Sequence, residues 1–479
     1  MQFNTFHFFV FFFVTVMVYY KVGKTMKQWV LFLSSAVFIG IISPNILLFT
    51  LLFVTINYFL GKWLYNNILT NKRLFIFWLA IGLDIGILAF FKYINFLFDN
   101  LNVIIGWTGQ NAWLQHIDLI IPLGISYYTF QALGYIIRIN RKAEKAETNF
   151  VLFANYMIFF PKFLAGPVER SAHFLPQVNN NITFSQENVS AGLRLFLWGM
   201  FKKVVIGDNL AGPVNLVFSN VENYSGISLM LVFIVQTLHL YCDFSGYTDM
   251  ALGIGRVFGI KLIDNFNRPF FSRTIGEFWR RWHISLSSWC NDFIYNPFII
   301  KYRRFGNRAA ITGIFITFFV IGIWHGANWT FVVVGVLQGL AISYEFITRR
   351  KRMNIISRMN PVLVKFASRL MVFIFFCFTL VFFNSKDIGD AWYFITHLFQ
   401  DVELKFSGNK LIFNSAAFFI GLSAFGVLMF LEYFEEKGVN VSKLFLRQSR
   451  WVRWSGYYLL MAMIFYFSGA GSTFVYLQF

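Results

Sequence analysis

Long apolar runs separated by short polar breaks repeat along the chain. The first run, MQFNTFHFFVFFFVTVMVYY, fills residues 1–20, and comparable runs recur as far as the C-terminal end. About twenty mainly apolar residues are enough for a helix to cross a bilayer. The pattern therefore predicts about twelve transmembrane helices, over residues 1–20, 29–43, 45–60, 73–93, 118–137, 191–206, 227–250, 309–324, 329–346, 366–384, 411–432 and 456–475.

The basic residues between these runs orient them, because cytoplasmic loops carry an excess of Lys and Arg. Lys21, Lys24 and Lys27 follow the first run, and the loop 138–145 is basic. The loop 261–308 contains nine Lys or Arg residues against three Asp or Glu residues. We expect these loops to be cytoplasmic and both chain termini to be extracytoplasmic.

Three apolar runs lie between the two basic loops, although three crossings cannot return a chain to the side from which it started. The run at 150–167 is short and is interrupted by Pro161 and by the pair Gly166-Pro167. Broken backbone at membrane depth is tolerated only where protein or water satisfies its polar groups. We therefore predict that 150–167 is a re-entrant segment.

Composition agrees with a membrane protein and excludes other classes. The chain is 57% hydrophobic and 13% charged, whereas soluble domains are about 25% charged. We attribute the net charge of +19 to cytoplasmic loops and expect no nucleic-acid partner. Three scattered cysteines argue against a disulfide framework and a zinc site, and no metal is expected. The predicted fold is an all-α polytopic membrane protein, one integral membrane domain over 1–479 with re-entrant and interfacial helices.

The stretch GIWHGANWT, residues 322–330, places His325 at the edge of an apolar run. An imidazole at membrane depth is costly without partners, so such a residue is a functional candidate. His283 or Asn328 are possible hydrogen-bond partners for it. The alternative is a histidine at a helix end in the interfacial layer.

The segment 276–293, GEFWRRWHISLSSWCNDF, has an amphipathic pattern. Its tryptophans fall on one helical face, and Arg280 and Arg281 fall on the other. This pattern predicts a helix that lies at the membrane interface, with Glu277 and Arg281 as an ion pair four residues apart. His283 lies at the border of the two faces, where a second polar role is possible.

Charged residues also occur inside apolar runs. Asp243 and Asp249 lie within or beside the run at 227–250, where an acid needs a cavity or a partner. A structural ion pair, possibly with Arg256 or Arg268, is the simpler interpretation. Lys162 in the re-entrant segment either extends to the interface or lines a water-filled cavity.

Five blocks in order carry a family resemblance: PLGISYYTFQALGYII, FFPKFLAGPVER, YCDFSGYTDMALGIGRVFGIKLIDNFNRPF, TIGEFWRRWHISLSSW and GIWHGANWTFVVVG. Together they resemble the membrane-bound O-acyltransferase (MBOAT) family, in particular its bacterial alginate O-acetyltransferase branch. The likeness is densest over 120–345 and continues more loosely to both ends.

This resemblance implies transfer of an acyl group across the bacterial cytoplasmic (inner) membrane. His325 matches the family's catalytic histidine, and His283 matches its second polar position. The implied donor is cytoplasmic acetyl-CoA, used as a substrate with no permanently bound cofactor. We expect Arg280 and Arg281 to help bind its phosphates, because arginine binds phosphate well. A separate extracytoplasmic transferase of the SGNH-hydrolase type is implied as partner, beside membrane lipids.

The last six residues, FVYLQF, suggest a further participant. In related teichoic acid D-alanylation systems, a small peptide ends in a similar aromatic–Tyr–aromatic pattern and is thought to carry the acyl group. By this resemblance Tyr476 is a candidate acyl carrier, and a phenol, with a pKa near 10, loses its proton more easily than a sugar hydroxyl. The alternatives are a structural tyrosine in the aromatic belt and direct transfer to the partner.

A competing hypothesis is a transporter or flippase for lipid-linked sugars, which would also have many spans and broken helices. The absence of a visible inverted repeat favours the enzyme. Alginate, peptidoglycan, cellulose and other exported glycans all remain compatible as acceptors.

Overall fold

The computed structural model describes residues 3–109, 113–400 and 415–468, and within these ranges the regular structure is entirely helical. The chain forms two compact units. The first comprises residues 1–196 and 250–263, and the second comprises residues 197–249 and 264–479.

The first unit is built mainly from nine helices. They are α1 (Phe6–Lys21), α2 (Lys24–Ile42), α3 (Pro44–Asn66), α4 (Arg73–Trp107), α5 (Ile125–Asn140), α6 (Phe150–Ile158), α7 (Phe160–Phe163), α8 (Ser171–Asn179) and α9 (Gln186–Met200).

The second unit begins with the π-helix Phe201–Gly207. Its α-helices are α10 (Asp208–Ser219), α11 (Gly226–Val257, whose last turns belong to the first unit), α12 (Ile275–Trp279), α13 (Ile284–Cys290), α14 (Asn296–Lys301), α15 (Asn307–His325), α16 (Trp329–Ile356), α17 (Pro361–Asn384), α18 (Ile388–His397), α19 (Ala416–Glu436), α20 (Val441–Leu446) and α21 (Arg450–Phe467).

Eight helices in the described part of the chain are long and apolar enough to cross a membrane: α2, α3, α4, α11, α15, α16, α17 and α19. Each coincides with a predicted span. The other four predicted spans coincide with α1, α5, α9 and α21, which fall short of this standard in length or in apolar character. The all-α polytopic class is therefore confirmed, and eight of the predicted crossings have helices of sufficient length and composition.

The predicted re-entrant segment is broken, as its prolines indicate. α6 ends at Ile158, and the four-residue α7 follows after Phe159. The amide of Phe160 donates to Ser35 Oγ at 3.1 Å, so a side chain of α2 satisfies part of the broken backbone. Lys162 is buried and donates to Gln131 Oε1 and to the carbonyl oxygen of Tyr156. Extension of this lysine to the interface is therefore the wrong interpretation.

The two acids of α11 do form ion pairs, but not with the predicted arginines. Lys202 Nζ lies 2.7 Å from Asp249, and Lys203 binds both Asp243 and Asp208. The π-helix carries both lysines, and a widened helical turn of this kind often occurs at specialised sites. The partner of α11 is thus the preceding helical segment of the second unit.

α15 and α16 form a closely packed helical hairpin. A Cβ atom on Gly322 would lie 2.5 Å from the carbonyl oxygen of Phe331, and one on Gly335 would lie 2.5 Å from that of Phe318. Small residues let the backbones of membrane helices approach closely. This packing fixes the end of α15, where His325 lies.

Candidate active site

His325 is the last residue of α15, and it is buried among aromatic side chains. The centroid of its ring lies 5.1 Å from Trp324, 5.1 Å from Phe383 and 6.4 Å from Phe331. Phe331 comes from the first turn of α16, and Phe383 comes from the last turn of α17. An imidazole is thus held in an apolar setting that limits the access of water.

Asn328, a predicted hydrogen-bond partner of His325, makes its side-chain hydrogen bonds to other residues. Its Oδ1 accepts from the amide of Thr330 at 3.0 Å and so caps α16, while its Nδ2 donates to the carbonyl oxygen of Lys386 at 2.6 Å. A side-chain cap of this kind satisfies a free amide at a helix start. Asn328 therefore holds the connection between α15 and α16 in place.

The segment that contains His283 is not the single interfacial helix that its pattern predicts. α12 ends at Trp279, α13 begins at Ile284, and the tryptophans of this segment are buried inside the protein. The prediction was wrong because tertiary hydrogen bonds break the helix. The amide of Ile284 donates to the carbonyl oxygen of Asn265 at 3.0 Å, and the amide of Ser285 donates to Asn265 Oδ1 at 3.2 Å.

His283 occupies this break with a φ of +44°. A positive φ is uncommon for a residue other than glycine, and such conformations often accompany functional sites. Its ring is completely buried and lies 4.8 Å from Phe244 and 5.8 Å from Trp324. Trp324 thus contacts both histidines.

The environment of His283 favours a neutral imidazole. His283 lies in the connection between α11 and α15, outside the eight long apolar helices. Burial lowers the pKa of His283 well below its ordinary value of 6.5, and the nearby His325 lowers it further. Desolvation disfavours the charged form of a histidine. A neutral imidazole accepts a proton or a hydrogen bond at one ring nitrogen and donates a hydrogen bond from the other.

A cavity of about 1180 Å³ lies in the second unit between α12, α13, α15 and α16. This is above the roughly 300–1,000 Å³ of common ligand sites. Four arginines line its polar part: Arg273, Arg280, Arg349 and Arg352. Its lining on α15 is mainly apolar and comprises Ile314, Thr317, Phe318 and Ile321.

The cavity lining approaches His325 along α15. Ile321 lies four residues before His325, which corresponds to about 6 Å along the helix axis. Trp279 forms part of the wall, and its Nε1 donates to Gln338 Oε1 at 2.9 Å. Gln338 Nε2 in turn donates to Thr379 Oγ1 at 3.1 Å, so the indole has a fixed orientation.

The two predicted phosphate-binding arginines lie in different environments. Arg280 is exposed and lines the cavity. Arg281 forms ion pairs at 2.8 Å with Glu277 and with Glu436, which confirms the predicted pair on this segment. Two carboxylates thus hold Arg281 in a network of ion pairs, whereas Arg280 lines the cavity.

Several lining residues were missed by sequence reasoning. Arg349 and Arg352 belong to the stretch RRKR, residues 349–352, which follows the apolar run 329–346. Glu345 also lines the cavity, and its carboxylate accepts from the amides of Ile275 and Gly276 at 2.6 and 3.0 Å. Arg349 and Arg352 lie on the first turns beyond an apolar run, and this position was the available signal for them. Tyr476 lies outside the described residues.

Comparison with known proteins decides the class. Residues 138–385, which include both histidines and the four cavity arginines, match the membrane-bound O-acyltransferase family. The chain belongs to the MBOAT family. As an MBOAT protein it is an O-acyltransferase.

The names of this MBOAT protein's relatives refer to different polymers. It is 34% identical to the probable alginate O-acetylase AlgI of Pseudomonas aeruginosa over 390 residues, covering 80% of this chain and 72% of the relative. It is 31% identical to the peptidoglycan O-acetyltransferase of Helicobacter pylori over 459 residues, covering 85% and 83%. It is 29% identical to the teichoic acid D-alanyltransferase of Bacillus subtilis over 237 residues, covering 48% and 60%.

Proposed function

We propose that the protein moves an acetyl group from cytoplasmic acetyl-CoA across the inner membrane for O-acetylation of an exported or cell-wall polysaccharide. The observation that carries this proposal is the cavity of the second unit. Arginines line one part of it, and its apolar lining on α15 approaches His325. A ligand with phosphates at one end and an acyl thioester at the other has the matching chemistry.

The arginines support a phosphate-bearing donor. Guanidinium groups bind phosphate through paired, charge-assisted hydrogen bonds. Arg352 is positioned by its hydrogen bonds to Thr348 Oγ1 at 3.1 Å and to the carbonyl oxygen of Glu345 at 2.9 Å. The two basic segments that contribute lining residues to the cavity, 261–308 and 349–352, follow the positive-inside rule. The donor therefore enters from the cytoplasm, and both termini lie on the opposite side.

The two histidines supply the proposed chemistry. His325 takes the proton of the Tyr476 phenol, whose oxygen attacks the carbonyl carbon of the thioester. The carbon–sulfur bond breaks, and the proton passes from His325 to the leaving thiolate, so coenzyme A departs as a free thiol. His283 stays neutral and helps to position the reacting groups through Trp324, which both histidines contact.

The acetyl group reaches the polysaccharide in three transfers. It passes first to the phenol oxygen of Tyr476, then to a partner transferase of the SGNH type outside the membrane, which regenerates the phenol, and finally to a hydroxyl of the polysaccharide. The Tyr476 phenolate is a good leaving group from this ester, because the phenol pKa near 10 is far below that of a sugar hydroxyl. The names of the relatives support a polymer acceptor, since alginate, peptidoglycan and teichoic acid are all polymers outside the cytoplasm.

Release of free thiol tests the reaction type. Purified protein in detergent with the partner transferase and radiolabelled acetyl-CoA should release coenzyme A and label the partner's polysaccharide. A transporter or flippase for lipid-linked sugars would leave the thioester intact. An intact thioester in the presence of a partner shown to bind the protein would refute the proposal.

Two arginine variants test the donor site. Replacing both Arg280 and Arg349 by glutamine should raise the KM for acetyl-CoA about 100-fold or more, because each of the two lost charge-assisted contacts contributes roughly 1.5–3 kcal/mol. The KM for acetyl N-acetylcysteamine, which has the thioester but no phosphate, should stay unchanged. Arg281→Gln is the matched control, since its guanidinium binds Glu277 and Glu436. Equal effects on both donors would show that the cavity arginines only stabilise the fold.

A further inference from the structure

Three aromatic rings surround the imidazole of His325, and we name this set the aromatic collar: Trp324, Phe331 and Phe383. Each ring centroid lies 5.1–6.4 Å from that of the imidazole. Phe331 and Phe383 also contact each other, with centroids 5.2 Å apart. Centroid distances of this size mean direct contact between rings. The collar therefore leaves little space beside the imidazole.

The backbone holds the collar in place. A Cβ atom on Gly326 would lie 2.1 Å from the ring of Phe331, so the ring packs directly on this residue. Phe383 and Phe331 are both buried, and they lie on two different helices that enclose the end of α15. Close packing of this kind makes added volume costly.

The orientation proposed for the thioester, between the cavity and His325, places the acyl tail against this collar. A base must lie within hydrogen-bond distance of the hydroxyl that it deprotonates, and the attacking oxygen must lie about 3–3.5 Å from the carbonyl carbon. In the proposed complex the thioester sulfur faces the cavity, whose lining on α15 ends at Ile321. The acyl tail projects from the other side of the carbonyl carbon. Its methyl group then meets the aromatic rings.

We propose that the aromatic collar sets the length of the acyl group and restricts transfer to acetyl, excluding chains of four or more carbons. This inference rests on the proposed function, whose donor it specifies. The collar residues do not exchange protons with the substrate. They determine specificity by occupying the volume that a longer chain would need.

Opening the collar should therefore broaden the donor range. Phe383→Ala creates an apolar space beside the imidazole, and apolar cavities of about 150 Å³ stay dry and bind small apolar molecules. Butyryl has two more methylenes than acetyl, and each buried methylene contributes about 0.8 kcal/mol, or roughly fourfold. The ratio of kcat/KM for butyryl-CoA to that for acetyl-CoA should rise about 15-fold over wild type. Phe383→Leu should give a smaller rise in the same direction.

Phe376→Ala is the matched control. Phe376 is a buried phenylalanine on the same helix, seven residues earlier, and its ring packs on Phe278 and Trp282 at 4.4 and 4.9 Å. Its removal costs comparable packing energy without opening space beside His325. The butyryl-to-acetyl ratio of this variant should stay within about twofold of wild type.

The outcomes separate the two proposals. An unchanged ratio in Phe383→Ala and Phe383→Leu, with normal acetyl transfer, would overturn the role of the collar alone. Equal use of acetyl-CoA and butyryl-CoA by wild-type protein would do the same. If wild-type protein released thiol from neither donor in the presence of the partner transferase, the proposed function would fail, and the collar assignment would fail with it. If Phe383→Ala does not fold, Phe383→Leu and Phe331→Leu decide the question.

Discussion

Replacing His325 tests the proposed chemistry most directly. The imidazole is 8% exposed and is enclosed by the aromatic collar, so bulk water cannot easily replace the lost base. Loss of a general base typically lowers the rate about 10²–10⁴-fold. This corresponds to about 2.7–5.4 kcal/mol in the activation free energy. His325→Ala should therefore reduce acetyl transfer to between about 1% and 0.01% of the wild-type rate.

The alanine variant loses packing as well as the base, and a second substitution separates the two effects. Removing the ring leaves space between Trp324, Phe331 and Phe383, and losses of this size in a buried core cost about 2–5 kcal/mol of stability. His325→Gln retains most of the volume and a polar group but has no basic nitrogen. It should lose as much activity as the alanine variant while unfolding within a few degrees of wild type.

Initial rates of thiol release and thermal unfolding in detergent would be measured on the same samples. His173→Gln is a control for loss of a histidine, because His173 binds Glu169 at 2.9 Å in the first unit. It should keep the wild-type rate. A His325→Gln variant that retained more than about one tenth of the wild-type rate would refute general-base catalysis by this residue.

Three further predictions follow from individual positions. His283→Asn should lower the rate less than His325→Gln, and a larger loss would reverse the assigned roles. Because burial lowers the pKa of His283, the unfolded chain binds that proton more readily than the folded chain, and acid destabilises the wild-type protein. As the pH falls from 7 to 5, the unfolding midpoint of the variant should therefore decrease less than that of wild type. Gly322→Ala places a methyl group 2.5 Å from a backbone oxygen and should destabilise the protein by about 1–3 kcal/mol, whereas Gly426→Ala, with open space around it, should have no such effect on the unfolding midpoint. Tyr476→Phe should abolish glycan acetylation, and unchanged acetylation, or the lack of an acetylated C-terminal peptide by mass spectrometry when the partner is deleted, would exclude the tyrosine intermediate.

Hydrophobic patterning is sufficient to predict the fold class and the positions of the long helices, because burial in lipid requires long apolar segments. It does not predict where tertiary contacts interrupt a helix. The segment around His283 keeps a helical period, yet Asn265, eighteen residues earlier, binds two of its amides and ends the helix there. No local signal in the segment distinguishes this break from a continuous amphipathic helix.

Pairing of buried charges is also a property of the folded chain. The aspartates at 243 and 249 were expected to bind arginines that follow them, but they bind Lys202 and Lys203 from an earlier apolar segment. The sequence indicates that a partner is needed and leaves its identity open. Similarly, basic residues after an apolar run mark the cytoplasmic side, and only the fold shows that Arg349 faces a cavity.

The ion pairs of Lys202 and Lys203 have a consequence for biogenesis. Inserting a lysine near the centre of a membrane helix costs about 2.5–3.5 kcal/mol, so a segment with two adjacent lysines is a poor substrate for the translocon by itself. Lys202 pairs with Asp249 and Lys203 pairs with Asp243, both on α11, which is synthesised later, whereas the second partner of Lys203, Asp208, lies in α10. We therefore expect the segment from α9 to α10 to insert more favourably once α11 is available to pair with its lysines.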